Sequence, residues 1–478
     1  LKRLWEANPE LHSVLKESPS LKQARDNVYS YLEAAERAIF AEDNELHILE
    51  KGTVRDCIRV FKSIIGPINE RRTGVSALDC LWKLAKGRRS KLQWEVSVGF
   101  LLEFINLFRG VAGKSNIYRE HEEIKKGIPE FLRLEGREAA RERSDRLEDM
   151  AANLRKYFKR YPSGLEKEVI TWREENREHI LKYFGGNDED WHDYRWHLKN
   201  VIKKPQVVLD LIDVSPELRE ALQNAFTNRL PFGITPYYLS LMDRNLSIGY
   251  DHAVRAQVIP PPDYVDIMTE NRAERGIIFD FMGEHDTSPV ELVTRRYPGI
   301  AILKPFNTCA QICVYCQRNW EIDEVLDPKA APSSKVLAKA LAWFDRHRSV
   351  GDVLITGGDP CIMTDKSLRK IVQALARKDH IYRIRIGTRT PVVLPMRWTD
   401  ELVGILEEAH EPGKREVAVV THFEHSYEIT PEAMQAVQKI RRAGIGVYNQ
   451  EVFTIENSRR FETVKLRRDL RLIGVDPY

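Results

Sequence analysis

From about residue 299 onward, short apolar runs rich in β-branched residues alternate with stretches of helical periodicity, which limits the possible folds of this 478-residue chain. A repeated strand–helix order is typical of a parallel sheet built from βα units. Five such units are visible, and residues 475–478 read as the opening of a sixth strand. The strand and helix of each unit are predicted at 300–303 and 334–346, 352–356 and 366–378, 381–388 and 400–410, 416–422 and 431–443, and 445–453 and 460–473.

Repeated parallel βα units close most readily as a barrel, whose active site lies at the carboxyl ends of its strands. We therefore predict an α/β fold in which residues 299–478 form a partial (β/α)6 barrel of the TIM type, with the chain stopping before the last strand is complete. Residues 1–185 are rich in Leu, Arg, Glu, Lys and Ala, which predicts a mostly α-helical N-terminal region of unknown role. Residues 186–298 are predicted to form a helical lead-in to the barrel.

The charge balance gives no reason to expect a nucleic-acid or membrane partner. There are 74 basic and 71 acidic side chains, for a net charge of +3. Residues 119–160 carry dense mixed charge, which predicts solvated helix faces rather than a basic patch. No signal peptide is visible, and the longest apolar run, 96–108, is too short for a membrane span, so we predict a buried helix there and a cytoplasmic location.

Three of the six cysteines lie close together, directly after the first predicted strand: Cys309, Cys313 and Cys316. In one continuous helix the outer two would lie about 10.5 Å apart along the axis, so a loop that curls around a bound group is the better prediction. Soft thiolates grouped in this way select iron–sulfur clusters or zinc. Three ligands leave one iron of a four-iron cluster open, which indicates chemistry rather than electron storage.

Other interpretations of these thiols stay open. A zinc site would need a fourth ligand, and the nearest histidines, His285 and His347, are distant in sequence. A ferredoxin normally supplies four cysteines to each cluster, and free cysteines are often simply buried. The other three cysteines are scattered, which does not suggest a disulfide framework and favours a reducing compartment.

Polar residues also follow the later predicted strands. After the second strand, Gly357 and Gly358 would let the backbone approach a ligand closely, and Asp359 offers an acceptor for a cationic group. The alternative is a tight turn in which Asp359 caps the next helix; its place one unit after the cysteines favours binding. Further polar groups end the next three strands at 387–391, 421–425 and 449–450, although His422 alone would more often be a core histidine.

At this point a resemblance becomes specific. Residues 191–196, 234–243, 286–289 and 296–298, together with the cysteine motif and residues 356–359, 385–395, 421–423 and 449–450, resemble the lysine 2,3-aminomutase family of radical S-adenosylmethionine (SAM) enzymes. The similarity runs in order from about residue 190 to 478 and is more specific than the cysteine spacing. Residues 1–185 lie outside it.

The resemblance implies an incomplete (β/α)6 radical SAM barrel, a [4Fe–4S] cluster, SAM and, usually, pyridoxal 5′-phosphate (PLP). The reaction moves an amino group between adjacent carbons of an amino acid through a 5′-deoxyadenosyl radical. It further implies a small amino-acid substrate, a flavodoxin- or ferredoxin-type reductant and a homo-oligomer. By position in the motifs, the resemblance implies that the cluster would be bound by Cys309, Cys313 and Cys316. SAM would contact Tyr315 at its adenine, Gly357, Gly358 and Asp359 at its methionyl end, and His422 and Gln450 near its ribose. Arg318 would pair with the substrate carboxylate, and Arg296 would bind the PLP phosphate.

The chain departs from the family pattern in several places. Tyr315 stands where a histidine is usual, and Ile300 stands where a second phosphate-binding arginine is expected. The family's Schiff-base lysine and substrate-amine aspartates would lie beyond Tyr478, so no PLP lysine is assigned; either the chain stops short of them or this relative uses PLP differently. The lysines of the barrel region that read as surface side chains are Lys304, Lys414, Lys439 and Lys465.

Two other functions therefore remain open. One is a radical SAM enzyme without PLP that acts on an amino-acid-like substrate. The other is a non-catalytic iron–sulfur or zinc interaction module that uses the N-terminal helices as its binding surface. The identity of the substrate cannot be read from these residues.

Overall fold

The computed structural model describes residues 1–41, 44, 46–88, 96–115, 134–246 and 248–477. The chain divides into two compact units, Leu1–Ala151 and Ala152–Tyr478. The second unit therefore begins earlier than the boundary that the sequence predicts near residue 185, because the helix Lys167–Phe184 buries side chains in the core of the second unit. The segment 119–133 of the predicted charged stretch lies outside the described residues, as does Tyr478.

The first unit is helical, as predicted. The predicted helix at 96–108 is present as Val98–Val111, but only one face of it is buried, since Phe108 is enclosed while Val98 is 73% exposed. The charged helix Gly136–Phe158 buries no side chain, as expected of solvated faces. The helices of this unit are Lys2–Ala7, Pro9–Glu17, Leu21–Ala38, Ile48–Ile64, Pro67–Thr73, Ala77–Ala85, Val98–Val111 and most of Gly136–Phe158.

The second unit is built on one sheet, which has seven strands among the described residues. The order is β1-β2-β3-β4-β5-β6-β7; β1 is antiparallel to β2, and every later neighbour is parallel. All five predicted βα units are present, and the predicted sixth strand is confirmed by the pairing of β7 with β6. The strands are β1 (Val293–Thr294), β2 (Ile300–Phe306), β3 (Asp352–Gly357), β4 (Arg383–Gly387), β5 (Glu416–Thr421), β6 (Gly446–Asn449) and β7 (Asp476–Pro477).

The register of the parallel strands places their most apolar residues side by side. Leu303 pairs with Ile355, Ile355 with Ile386, and Ile386 with Val419. Each of these side chains is fully buried. Because residues paired in this way point to the same face of a sheet, they form a continuous apolar row that can be covered by the helices that follow each strand.

Four of the helices between the parallel strands begin at a hydroxyl residue that caps them. Ser333, Thr364, Thr399 and Thr430 each accept a hydrogen bond from a backbone N–H of the first turn, which satisfies a donor that has no partner inside the helix. The helices of the second unit are Lys167–Phe184, Asp188–His192, Tyr194–Lys199, Pro205–Leu211, Pro216–Thr227, Pro236–Leu239, His252–Arg255, Pro262–Glu270, Arg275–Ile278, Glu284–Thr287, Ser334–Arg346, Asp365–Ala376, Thr390–Val393, Asp400–Glu407, Pro431–Arg442 and Arg460–Leu472, with 3₁₀ turns at Pro360–Ile362, Pro395–Arg397 and Ser426–Glu428.

The α/β class is thus confirmed, with a mostly parallel sheet. The described strands form an open row from β1 to β7, so the partial barrel stays a prediction. None of the described helices is both long and apolar enough to span a membrane. For the site, the important result is that the carboxyl ends of β2 to β6 lie along one edge of the sheet.

The apolar row supports a first prediction. Replacing Ile386 by alanine removes a fully buried side chain from the centre of the row and leaves a cavity. We expect the free energy of unfolding to fall by about 2–5 kcal/mol, measured by urea denaturation. The same substitution at Ile455, which is 83% exposed, is the matched control and should change stability little. Equal effects of the two substitutions would contradict this packing.

Candidate active site

The three cysteines of the motif lie on the loop that follows β2, and their thiols are half-buried. Burial raises the pKa of Cys309 well above its ordinary value, and Asp359 and the other two thiols raise it further. Burial likewise raises the pKa of Cys316 to about 11, with Cys313 adding to the effect. Residues 309–316 form no helix or strand, as the spacing predicted, and their role as cluster ligands stays a prediction.

The chemistry of the three thiols fits an iron–sulfur cluster, because soft thiolates are the ligands that such clusters use. A four-iron cluster binds each thiolate at a different iron, so its ligands stand apart rather than meeting at one point. Three soft thiols on one curled loop fit that requirement.

The loop is held in place from outside by backbone and side-chain hydrogen bonds. The N–H of Ile312 donates to the Gly233 carbonyl at 3.0 Å, and the N–H of Val314 donates to the Gln257 carbonyl at 2.7 Å. Just past the loop, the amide of Asn319 donates to the hydroxyl of Tyr264 at 2.7 Å. These partners are 55 or more residues away in sequence, so the loop takes its shape from tertiary contacts.

The glycine pair after β3 allows a close backbone approach to the cysteine loop. The N–H of Gly358 donates to the Phe306 carbonyl at 2.8 Å, and that of Asp359 donates to the Thr308 carbonyl at 2.9 Å. A Cβ at Gly358 would lie 2.2 Å from the Thr308 carbonyl oxygen, and Gly357 has a φ of +116° that favours glycine. Close backbone packing and the positive φ thus explain why glycine occupies both positions. The contact of these glycines with SAM stays a prediction.

Asp359 acts as a cap in the described structure. Its buried carboxylate accepts hydrogen bonds from the Thr388 hydroxyl at 2.6 Å, the Arg389 N–H at 2.8 Å and the Cys361 N–H at 3.0 Å. Burial raises its pKa, while these donors lower it in part. The capping role considered for Asp359 is therefore present, and its predicted contact with SAM stays a prediction.

A buried arginine after β4 reaches the cysteine loop. Nη1 of Arg389 donates a hydrogen bond to the Sγ atom of Cys313 at 2.8 Å. Nη2 donates to the Glu428 carboxylate at 2.8 Å and to the Tyr238 hydroxyl at 3.1 Å, and it also contacts Gln257. Burial alone would lower the pKa of Arg389, but Cys313, with smaller effects from two tyrosines and Glu428, raises it well above its ordinary value. Arg389 is therefore a permanent cation in direct contact with a motif thiol.

A charged cluster of five residues lies next to the loop: Glu284, Arg296, Lys304, Arg318 and Glu321. Glu284 is 4% exposed and accepts hydrogen bonds from Arg318 at 2.5 Å, Lys304 at 2.6 Å and Arg296 at 2.9 Å. Burial would raise the pKa of Glu284, but Arg318 and Lys304 outweigh it and lower the pKa to about 2. Both arginines predicted to hold anionic groups thus share one carboxylate.

The charged cluster still has capacity for an anion. Its three cations face two carboxylates, Glu284 and Glu321. The buried Nε atoms of Arg296 and Arg318 have no hydrogen-bond partner. A phosphate or carboxylate group would satisfy these donors, because guanidinium N–H groups match such oxyanions well.

Two lysines are not at the surface as the sequence predicted. Lys304 bonds Glu284 and Glu321, and its side chain is 16% exposed. Lys465 is 5% exposed and pairs with Asp469 at 2.5 Å. The i,i+4 spacing of Lys465 and Asp469 on one helix is a local sign of their pairing, but the burial of both lysines depends on residues that the fold brings alongside them.

Several polar atoms after β5 and β6 are buried without a hydrogen-bond partner. They are Thr421 Oγ1, His422 Nδ1, Glu424 Oε1 and Glu451 Oε1. Burial, with Glu424 next in effect, raises the pKa of Glu451 to about 7. Since buried polar atoms are nearly always paired in folded proteins, these atoms indicate a polar ligand, and hydroxyl groups such as those of a ribose would fit them.

The remaining predicted residues lie near this edge. Tyr315 is half-buried, its hydroxyl has no partner, and its ring lies 5.5 Å from the guanidinium of Arg389. Gln450 is exposed and is fastened through its N–H to the Thr421 carbonyl at 2.8 Å. Their contacts with SAM stay predictions.

Sequence reasoning missed Glu284 and Glu451, and it predicted neither a role for Glu424 within the polar segment 421–425 nor the thiol contact of Arg389. The partners of Glu284 lie 12, 20 and 34 residues away, and Arg389 lies 76 residues from Cys313. Arg389 lies in the segment 387–391 that the sequence predicts at the end of the third strand, so its place at the edge was predicted and its partner was not. Glu284 carried no comparable signal.

The charged cluster gives a prediction about pH. Because its folded pKa is depressed from an ordinary 4.5 to about 2, Glu284 stabilises the fold above pH 4.5 and loses that contribution as pH falls toward 2. Glu284→Gln should lower the free energy of unfolding by about 3–5 kcal/mol at neutral pH, since three cations lose their shared partner.

The difference in stability between the wild type and Glu284→Gln should therefore shrink between pH 6 and pH 3, as measured by urea denaturation at each pH. Glu291→Gln, which removes an exposed carboxylate, serves as the control. A difference that stays constant over this range would show that Glu284 is not held as a carboxylate by its neighbours.

Comparisons with known proteins connect this geometry to a family. No protein-family model matches the chain. It is 42% identical over 487 residues to an uncharacterized KamA family protein of Methanocaldococcus jannaschii, which covers 98% of this chain and 77% of the relative. It is 32% identical over 316 residues to a glutamate 2,3-aminomutase of Clostridioides difficile, covering 66% of this chain and 70% of the relative.

An L-lysine 2,3-aminomutase of Clostridium subterminale is 35% identical over 266 residues, covering 56% of this chain and 60% of the relative. The matches to the aminomutases thus cover part of the chain, whereas the match to the Methanocaldococcus jannaschii protein extends over nearly all of it. The resemblance that the motifs predicted is confirmed: the chain belongs to the KamA family, the family of the lysine 2,3-aminomutases.

Proposed function

We propose that this chain is a radical SAM isomerase that moves an amino group between adjacent carbons of a small amino acid, with a [4Fe–4S] cluster, SAM and PLP. The observation that carries the proposal is that three thiols and several buried polar side chains lie at the same edge of the sheet, where the parallel strands end. Cys309, Cys313 and Cys316 follow β2, while partnerless buried polar atoms follow β5 and β6. Membership of a family that includes 2,3-aminomutases supports the reaction type.

Cys309, Cys313 and Cys316 are proposed to hold the cluster. When bound and reduced, such a cluster supplies the electron that cleaves the sulfonium bond of SAM. The chain's own part is to keep the loop curled, through the bonds of Ile312 and Val314 to the neighbouring backbone, and to shield the thiols from water.

Thr421, His422 and Glu424 are proposed to hold the ribose of SAM through hydrogen bonds to its hydroxyl groups. Their buried atoms without partners support this assignment, because a diol offers both donors and acceptors. His422 Nδ1 lies 3.7 Å from Glu424 Oε1, so the carboxylate can orient the imidazole. Tyr315, Asp359 and Gln450 complete the proposed SAM contacts on the basis of the family resemblance.

The charged cluster supports a binding site for the phosphate group of PLP. The partnerless Nε atoms of Arg296 and Arg318 and the excess of positive charge around Glu284 suit a phosphate and a substrate carboxylate. Lys304 is occupied by two carboxylates, which does not suit the role of the Schiff-base lysine. No other lysine of the described residues is assigned that role.

A second candidate function, a radical SAM enzyme without PLP, is favoured by the ion pairs of Lys304 and by Ile300 at an expected arginine position. The absorbance of a purified protein extended past Tyr478, where the family resemblance places the Schiff-base lysine, separates the two: the absorbance band of a PLP imine supports the first, and its absence after incubation with PLP supports the second. The partial barrel, a cytoplasmic location, a flavodoxin- or ferredoxin-type reductant and a homo-oligomer are parts of the same proposal.

The proposal predicts the result of anaerobic reconstitution with iron and sulfide. The wild-type chain should bind about four iron atoms and, with a chemical reductant, cleave SAM to 5′-deoxyadenosine and methionine. Cys313→Ala should lose most of the iron and all SAM cleavage, because one of the three ligands is gone. Iron analysis and chromatography of the products measure both effects.

Cys57→Ala, which changes a half-buried thiol of the first unit, is the matched control and should behave as the wild type. One zinc per chain without SAM cleavage would favour a non-catalytic binding module instead. Full iron content and SAM cleavage by Cys313→Ala would refute the assignment of the cluster ligands.

A further inference from the structure

The contact between Arg389 and Cys313 joins a buried cation to one of the thiols assigned to the cluster. The guanidinium donates to Sγ at 2.8 Å, and the Arg389 residue is 8% exposed. A hydrogen bond of this length to a thiolate does not compete with iron binding, because sulfur has more than one lone pair. The arginine is also fixed at its other end, where its backbone N–H donates to Asp359.

We propose that Arg389 is a positioning residue that raises the reduction potential of the iron–sulfur cluster through its bond to Cys313. This inference rests on the proposed function, since it needs the cluster to be present. One-electron reduction makes the cluster and its thiolates more negative, and a fixed cation at hydrogen-bond distance stabilises that state relative to the oxidised one. Reduction potentials of such clusters follow net charge, hydrogen bonds to sulfur and solvent exposure.

The surroundings of Arg389 make its charge effective. Because the group is buried, its attraction for added negative charge is less screened than it would be in water. Among the described residues, the carboxylate that pairs with this guanidinium is that of the fully buried Glu428, which lies 2.8 Å from Nη2 and offsets part of the positive charge. The contacts with Tyr238 and Gln257 are neutral and orient the guanidinium so that Nη1 faces the sulfur.

The competing explanation is that Arg389 only fastens the loop. A fastening role would change how much cluster the protein holds or how stable it is, while leaving the potential of the remaining cluster unchanged. A role only in binding SAM would likewise leave the potential unchanged when it is measured without SAM. The potential of the reconstituted protein in the absence of SAM therefore separates the proposed role from the other two.

The experiment is a redox titration of the reconstituted full chain, followed by electron paramagnetic resonance of the reduced cluster. Arg389→Gln, which removes the charge, should lower the equilibrium constant for reduction at least tenfold, or 59 mV for one electron. Arg389→Lys, which keeps the charge but not the planar fork, should fall between this variant and the wild type. Glu428→Gln, which removes the opposing charge, should shift the potential in the other direction.

Arg385→Gln is the matched control. Arg385 lies on β4, four positions before Arg389, and pairs with Asp352 at 2.9 Å instead of a thiol. The reduction potential of the cluster in the Arg385→Gln protein should equal that in the wild type. An unchanged potential in Arg389→Gln would overturn the inference. So would loss of the cluster from both Arg389 variants with retention in Arg385→Gln, since that result assigns Arg389 to fastening alone.

The outcomes also separate this inference from the proposed function. A wild-type chain that binds no four-iron cluster refutes the proposed function, and this inference fails with it. A wild-type chain that binds the cluster and cleaves SAM, combined with an unchanged potential in Arg389→Gln, refutes this inference alone.

Discussion

The candidate site depends on the close approach of two backbones at the edge of the sheet. The end of β3 bonds through Gly358 and Asp359 to the segment that leads from β2 into the cysteine loop. A side chain at Gly358 would meet the Thr308 backbone at 2.2 Å, so this approach is open to glycine alone. Because the loop has little regular structure of its own, this contact and the bonds that the loop donates to the carbonyls of Gly233 and Gln257 determine where the thiols lie.

Buried charge is the second constraint. Glu284 is surrounded by three cations, and Arg389 is shared by Glu428 and the thiol of Cys313. Buried ions are costly unless they are paired, so each group fixes the positions of its partners. Each group also contacts the cysteine motif: the N–H of Arg318 donates to the Cys316 sulfur at 3.4 Å, and Nη1 of Arg389 donates to the Cys313 sulfur at 2.8 Å. The electrostatics of the loop are therefore built from several distant segments.

A parallel sheet explains how distant segments reach one place. Polar residues after β3, β4, β5 and β6 are separated by tens of residues in sequence, yet each follows the carboxyl end of its strand. Regular pairing of β2 to β6 brings those ends together without any special signal in the loops themselves. The alternation of strand and helix was sufficient to predict that Asp359, Arg389 and His422 share an edge. It was not sufficient to predict their partners.

The sequence by itself determined the βα order, the α/β class, the family and the identity of the three clustered thiols, because these follow from local periodicity and short motifs. It also indicated polar residues at the strand ends. Only the tertiary structure decided that Asp359 caps a turn, that Lys304 and Lys465 are buried, that Glu284 joins three cations, and that Arg389 touches Cys313. The contacts of Glu284 with its cations and of Arg389 with Cys313 join side chains that lie 12 to 76 residues apart in the chain, and burial and pairing at that range have no local pattern.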